Sequence, residues 1–147
     1  MEAVIFIGIQ ATGKSTFYLQ RFANTHVRIN LDMLRTRHRE RILVEACLAA
    51  KQSFVVDNTN VTRADRARYI PLARAAGFRV IGYFFESSVQ DAMQRNRQRA
   101  ARKPVPPQAI AGTNKRLELP TYDEGFDELY SVTITSPNEF AVRAWGR

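Results

Sequence analysis

The 147 residues hold one cysteine, two histidines and one tryptophan, and acid is scarce beside base. The lone thiol, Cys47, excludes an internal disulfide, and its apolar setting from Ile42 to Ala50 reads as a small buried hydrophobe. Such cysteine usage suits a reducing compartment. His26 and His38 stand apart and make no metal-ligand spacing with Cys47, which excludes a zinc-type site built from them. No apolar stretch reaches the length of a membrane span. Val4 to Ile9 lacks a basic flank and a cleavage site and runs straight on toward Gly13-Lys14, so it is expected to be a first strand and not a signal peptide. The expectation is a cytoplasmic protein with no membrane partner. The 14 Asp+Glu against 22 Lys+Arg leave a net charge of +8, which attracts nucleic acid, nucleotides or an anionic membrane face, or serves solubility alone.

No repeat, linker or low-complexity run divides the chain, and 45% hydrophobic with 24% charged residues suits one globular domain over 1–147. Strand-like runs at Ala3–Ile7, Val27–Ile29, Ser53–Asp57, Phe78–Phe85 and Tyr130–Thr135 alternate with helical patterns at Lys14–Thr25, Leu31–Lys51 (broken near Thr36–Arg41), Thr62–Gly77, Ser88–Arg102 and Gln108–Leu117. Thr62-Arg63-Ala64-Asp65 resembles a capping box, and Gly77 a helix C-cap. This order predicts an α/β, doubly wound, mostly parallel five-stranded sheet with helices on both faces. Ligands on such sheets bind beyond the carboxyl ends of the strands.

Gly8-Ile9-Gln10-Ala11-Thr12-Gly13-Lys14-Ser15, followed by Thr16, fits the phosphate-binding loop pattern between a strand and a helix. Glycines let backbone N–H groups turn inward, and the helix N-terminus adds unpaired donors. Lys14 is expected to reach the β and γ oxygens of ATP and Ser15 to ligate Mg²⁺. Ala11 stands where many such loops carry glycine.

Three further patterns lie after later strands. Asp32 and Arg35 are three apart, so a helix would put them on one face. There Asp32 could take a proton from an attacking hydroxyl and Arg35 could clamp an acceptor phosphate, or both could be ordinary helix-start polar groups. Asp57, ending the third strand, is the closest candidate for a carboxylate touching Mg²⁺, directly or through water; a polar turn is the alternative. Arg95, Arg99 and Arg102 fall at i, i+4 and i+7 and make an arginine stripe before the prolines at 104, 106 and 107. The stripe reads as an arginine-rich helical lid over about 88–107, or as a solvated basic face.

With these residues in hand, the chain resembles the 5′-hydroxyl polynucleotide kinases, the P-loop kinase domains of end-healing and repair enzymes. The likeness runs from Val4 to about Val132. It rests on Gly8 to Thr16, Asp32-x-x-Arg35, Asp57-Asn58-Thr59-Asn60 with Arg63, Arg95-Asn96-x-x-Arg99, and Pro120-Thr121-x-x-Glu124-Gly125-Phe126. The resemblance implies a P-loop kinase sheet that binds ATP and Mg²⁺ through Lys14 and Ser15. It further implies Asp32 as general base for the 5′-OH end of a single-stranded nucleic acid and Arg35 as the clamp on the neighbouring substrate phosphate. Arg99, backed by Arg95, would be the lid arginine on the ATP phosphates. Relatives of this kind often carry a phosphatase or ligase domain, for which 147 residues leave no room, so a free-standing kinase domain is expected.

Two other functions stay open at this stage. A kinase for a small-molecule hydroxyl (a nucleoside, sugar or antibiotic) would share the loop and the acid after strand two. A non-catalytic nucleotide-binding module would need Lys14 but not Asp32. Arg37, Arg39 and Arg41 could line a strand-binding track or form a solvated helix junction. The acidic segment Glu118 to Glu128 reads as a counter-charged surface, and the oligomeric state is not legible.

Overall fold

A computed structural model describes residues 1–98 and 105–146. The first strand, β1 (Glu2–Ile7), is buried along nearly its whole length, and its side chains alternate between two packed faces. A parallel strand covered on both sides is expected to read as a continuous apolar run, and this one does. Helix α1 (Lys14–Arg21) follows, then β2 (Val27–Ile29), the short helix α2 (Leu31–Leu34), α3 (Arg37–Ala50) and β3 (Phe54–Val56). The second half contains α4 (Arg63–Arg66), α5 (Ile70–Ala75), β4 (Arg79–Phe85), α6 (Val89–Arg97), α7 (Pro107–Arg116), a 3₁₀ turn (Tyr122–Glu124), β5 (Glu128–Ser136) and β6 (Glu139–Ala144).

The strands form one sheet in the order β2-β3-β1-β4-β5-β6, parallel except for β6. The chain leaves β1 toward β2 and β3 on one side and later returns to place β4 on the other. That reversal opens a crevice at the carboxyl end of β1, where a doubly wound sheet takes its ligand. On one face Ile5, Ile7, Val56 and Val80 pack with Val44 and Cys47 of α3 and with Ile70 and Ala73 of α5. On the other, Val4, Phe6, Val55 and Phe85 pack with Phe17 and Tyr18 of α1. Phe6, Phe17 and Phe85 meet edge to face at centroid distances of 5.0 to 5.8 Å.

The sheet has one strand more than the five expected from the sequence. β6 pairs antiparallel with β5 across a two-residue turn, Pro137-Asn138, in which Asn138 has φ 62°. Proline followed by an asparagine at positive φ is a turn signal, and it marks this hairpin. Phe140 of β6 reaches the second core and meets the Phe17 ring at 5.2 Å.

The expected helix over Thr62–Gly77 is two helices. Pro71, in the first turn of α5, lacks an N–H and excludes the backbone of Ala67 from a continuous ladder, so α4 ends and α5 begins afresh. The Thr62–Asp65 capping box is present, and Gly77 takes φ 82° just beyond α5. The break near Thr36 is also present: Asn30 caps α2, and Thr36 caps α3 by accepting from the Arg39 N–H at 3.1 Å. Trp145 docks on the domain, meeting Phe84 edge to face at 5.5 Å.

Candidate active site

The loop after β1 closes on itself around Lys14. Lys14 Nζ donates to the carbonyls of Gly8 at 3.0 Å and Ile9 at 2.6 Å, and the Thr12 hydroxyl donates to the Ile9 carbonyl at 3.0 Å. Gly13 has φ 87°, and a side chain there would lie 2.9 Å from the Phe140 ring, so only glycine fits between the loop and β6. Ala11 accepts a left-handed φ of 62°, a conformation that glycine would adopt without steric cost. Gln10 to Ser15 line a cleft of about 600 Å³. Gly8 and Ile9 stand behind it. The Ile9 side chain packs instead with Ala92 of α6 and Ile110 of α7, which anchors both helices to the loop.

Ser15, the second residue of α1, donates its hydroxyl to Asp57 Oδ2 at 3.0 Å. Asp57 follows β3 and is 3% exposed. This hydroxyl–carboxylate pair beside a phosphate loop is a hard-oxygen donor set of the kind Mg²⁺ takes, so the residues present fit that ion. A third member was not anticipated. Arg28 of β2 donates from Nε to Asp57 Oδ2 at 2.8 Å and from Nη2 to the Ser15 hydroxyl at 3.0 Å. A charged residue in the middle of a short parallel strand must find a partner, and that was the available signal.

The far wall of the cleft comes from the ends of β2 and β3 and the start of α3. Asp32, Arg37, Asn58 and Asp65 line it. Beneath them Glu40, 3% exposed, accepts from Arg37 Nη1 at 2.8 Å, the Tyr69 hydroxyl at 2.9 Å and Asn58 Nδ2 at 2.9 Å. Asn58 Oδ1 in turn accepts from the Leu31 N–H at 2.8 Å, which fixes the start of the helix that carries Asp32. Burial opposes the charge on Arg37, but Glu40 and Tyr69 together outweigh it and hold the guanidinium above its ordinary range.

Arg35 does not share a helical face with Asp32. α2 ends at Leu34, and Arg35 caps it at φ 75°, ψ −35°, an exposed residue outside the cleft lining. The helix would have to run through Arg35 to carry the i, i+3 relation that the sequence suggested, and it stops one residue short. Arg95 does reach the loop, donating to the Ala11 carbonyl at 3.3 Å and to the Ser87 hydroxyl at 3.1 Å. Arg99, together with Arg102 and Lys103, lies outside the described residues. Thr16 faces a second hollow of about 430 Å³, lined also by Ile134 and Phe140, which shares Gly13 and Arg95 with the cleft. Asn96 of α6, 3% exposed, holds Val105 through two hydrogen bonds of 2.6 and 2.8 Å, which ties the end of α6 to the residues that lead into α7.

The Tyr69 hydroxyl beneath this wall is pushed up to about 12, first by burial and then by the charge and hydrogen bond of Glu40. A phenol whose folded value lies above its ordinary 10.0 stabilises the fold fully below pH 10 and loses that contribution as pH rises toward 12. A rise of that size corresponds to about 3 kcal/mol. Urea midpoints measured from pH 9 to 12 are therefore expected to fall steeply, and less steeply for Tyr69→Phe. Part of the fall remains in that variant because burial also raises Tyr83 to about 12.

No helix among the described residues is long and apolar enough to cross a membrane. The family model described as "AAA domain" matches residues 4–120. The bifunctional polynucleotide phosphatase/kinase of Schizosaccharomyces pombe is 29% identical over 136 residues, which cover 89% of this chain and 33% of that protein. The chain thus spans about a third of the length of the curated relatives it matches. Among solved structures, a gluconokinase from Sinorhizobium meliloti superposes with a TM-score of 0.63 at 19% identity, covering 93% of this chain and 85% of its own. Kti12 from Chaetomium thermophilum, solved with ADP-AlF3, gives 0.63 at 17% identity over 90% and 89%. These likenesses establish the fold as that of the P-loop kinases. Phosphate loop, sheet order and family match agree, and the chain belongs to the AAA domain family of P-loop nucleotide-binding proteins.

Proposed function

We propose that this chain is an ATP-dependent kinase that transfers the γ-phosphate to the 5′-hydroxyl end of a polynucleotide. The observation that carries the proposal is the single cleft with Lys14 and Ser15 on one wall and Asp32, Asn58 and Arg37 on the other. One wall suits a nucleotide's phosphates and the other a hydroxyl with an anionic neighbour. The similarity to a polynucleotide phosphatase/kinase over 89% of the chain supports the choice of acceptor.

In this reading the loop N–H groups and Lys14 bind the β- and γ-phosphates, and the second hollow takes the donor's base. Ser15 and Asp57 would hold Mg²⁺, which would supply positive charge to neutralise the phosphates. Arg28 keeps those two ligands in register. Asp32 orients the acceptor hydroxyl and accepts its proton as the oxygen attacks the γ-phosphorus, the bond from that phosphorus to the β-phosphate oxygen breaks, and ADP leaves. Arg95, with Arg99, offers cationic charge to the transferred group, whose negative charge spreads over its equatorial oxygens.

The acceptor class is tested by salt. A polynucleotide held by several phosphates loses affinity with a log–log slope of about −0.7 per phosphate neutralised on a single strand. KM for a 5′-OH oligonucleotide is expected to rise steeply between low and moderate salt, while KM for ATP in the same assays rises far less. A flat oligonucleotide KM, or efficient transfer to a neutral sugar in its place, would favour the small-molecule kinase.

A further inference from the structure

Both side chains that would hold Mg²⁺ are already bonded to a cation of the protein's own. Arg28 is the middle residue of β2, between Val27 and Ile29, whose side chains pack in the core on the α3 side of the sheet. A strand alternates its side chains, so Arg28 is turned to the other face, where α1 packs. Its guanidinium stands 6.0 Å from the Tyr18 ring of that helix. There it meets Asp57 Oδ2 through Nε at 2.8 Å and the Ser15 hydroxyl through Nη2 at 3.0 Å.

The hydrogen bonds fix what each oxygen has left. The Ser15 hydroxyl gives its one hydrogen to Asp57 Oδ2 and uses one lone pair to accept from Arg28. Asp57 Oδ2 accepts from both Ser15 and Arg28. For a further ligand there remain one lone pair on Ser15 and the second carboxylate oxygen, Oδ1, which accepts from no described residue. The charges then decide how strongly a metal is drawn. Asp57 is buried, and among the described residues its ion pair is with Arg28 alone. One carboxylate, one guanidinium and one hydroxyl sum to zero. Hard oxygen ligands hold a divalent cation largely through their negative charge, and a guanidinium bonded to the same atoms cancels it. Mg²⁺ in particular gives up water reluctantly and relies on substrate phosphates beside one or two carboxylates.

We infer that Arg28 is a built-in counter-cation that lowers the affinity of the Ser15–Asp57 pair for a free divalent ion, so that the pair accepts a metal only together with the phosphates of a nucleotide. This inference rests on the reading of Ser15 and Asp57 as metal ligands, and not on the choice of acceptor. It gives Arg28 a task beyond holding two ligands in place: metal and nucleotide binding are coupled through its charge.

The probe is Mn²⁺, which suits the same oxygen ligands and is paramagnetic, so electron paramagnetic resonance counts the unbound ion without any turnover. In the absence of nucleotide, the wild type is expected to bind Mn²⁺ no more tightly than Asp57→Asn does. With ADP present, the wild type holds Mn²⁺ and Asp57→Asn holds it roughly 10- to 100-fold less tightly, the usual effect of removing a group from a metal's surroundings. Arg28→Gln removes the charge and keeps a hydrogen-bonding arm. It is expected to tighten Mn²⁺ binding to the nucleotide-free protein roughly 10- to 100-fold, the size of effect that one close charge has on another group's equilibrium. The double variant Arg28→Gln with Asp57→Asn loses that gain, and Arg28→Lys, which keeps the charge without the fork, stays near wild type. Thermal unfolding gives a second measure: Mn²⁺ raises the Tm of Arg28→Gln and leaves that of the nucleotide-free wild type unmoved. A folded Arg28→Gln that binds Mn²⁺ no better than wild type shows Arg28 to be a structural brace and overturns the inference. So does a nucleotide-free wild type that binds Mn²⁺ well above Asp57→Asn, a result that needs no variant of Arg28. If ADP brings no Asp57-dependent Mn²⁺ binding to the wild type, the metal reading of Ser15 and Asp57 fails and this inference with it, while the choice of acceptor stands untouched.

Discussion

Asp32→Asn is expected to lower kcat for phosphate transfer by roughly 10²- to 10⁴-fold, the usual range for losing a positioned general base, while the affinity for ATP stays close to wild type. The amide keeps the shape and the hydrogen-bonding reach of the side chain but cannot accept the proton. Asp32 sits in the first turn of α2, on the wall opposite the phosphate loop, and touches neither Lys14 nor Ser15 among the hydrogen bonds of the described residues. Stopped-time assays with saturating ATP and oligonucleotide measure kcat, and equilibrium binding of a labelled nucleotide measures the retained affinity. A variant that keeps most of its kcat would remove Asp32 from the chemistry and make the loss of a proton from the hydroxyl a matter for water. A variant that loses nucleotide affinity in equal measure would show that the two walls are one binding site without division of labour.

The second large effect concerns stability. Glu124→Gln is expected to destabilise the fold by about 3–5 kcal/mol, because it leaves the guanidinium of Arg66 buried without its counter-charge. Arg66 is 0% exposed and is held by Glu124 through Nε and Nη2 and by the Asn60 carbonyl at 3.0 Å through Nη1. Asn60 in turn donates to the Phe6 carbonyl at 2.9 Å, so the pair braces the loop after β3 against the end of β1. Urea unfolding gives the free-energy change directly. The double variant Arg66→Met with Glu124→Leu is expected to regain a large part of the loss, since it replaces the ion pair with apolar groups of similar bulk. Failure of the single variant to move the midpoint would mean that water reaches the guanidinium and the site is not dry.

These two predictions also mark what the sequence made legible and what it did not. The phosphate loop was legible because its chemistry is local: glycines, a lysine and a serine must follow one another between a strand and a helix. The sheet was legible to within one strand, since buried parallel strands announce themselves as apolar runs such as Val4 to Ile7 and Val80 to Phe85. β6 escaped because its outer face is polar and its partner is a single strand; only the Pro137-Asn138 turn betrays it. Asp32 and Asp57 stand out in the sequence by their places after strands, and both line the cleft.

Long-range partners were not legible. Glu124 lay in a segment that read as a counter-charged surface. Asp123, Asp127 and Glu128 do pair there with exposed arginines, but Glu124 turns inward to Arg66, 58 residues away in sequence. In the sequence Glu40 stands between Arg39 and Arg41, and only the fold shows that it is the buried centre joining Arg37, Tyr69 and Asn58. Arg35 fitted a three-residue spacing that requires a helix longer than the one that forms. Spacing along a helix is informative only when the helix persists through both residues, and the cap at Thr36 restarts the chain between Arg35 and Arg37.

The central claim is tested most directly by incubating the protein with γ-labelled ATP, Mg²⁺ and 5′-OH single-stranded RNA and DNA oligonucleotides, beside Lys14→Ala, and locating the label. Label on the 5′-terminal oxygen of an oligonucleotide, lost in Lys14→Ala, is the predicted result. No label on any oligonucleotide from a protein that still binds ATP through Lys14 would contradict it and turn the search to small-molecule hydroxyls.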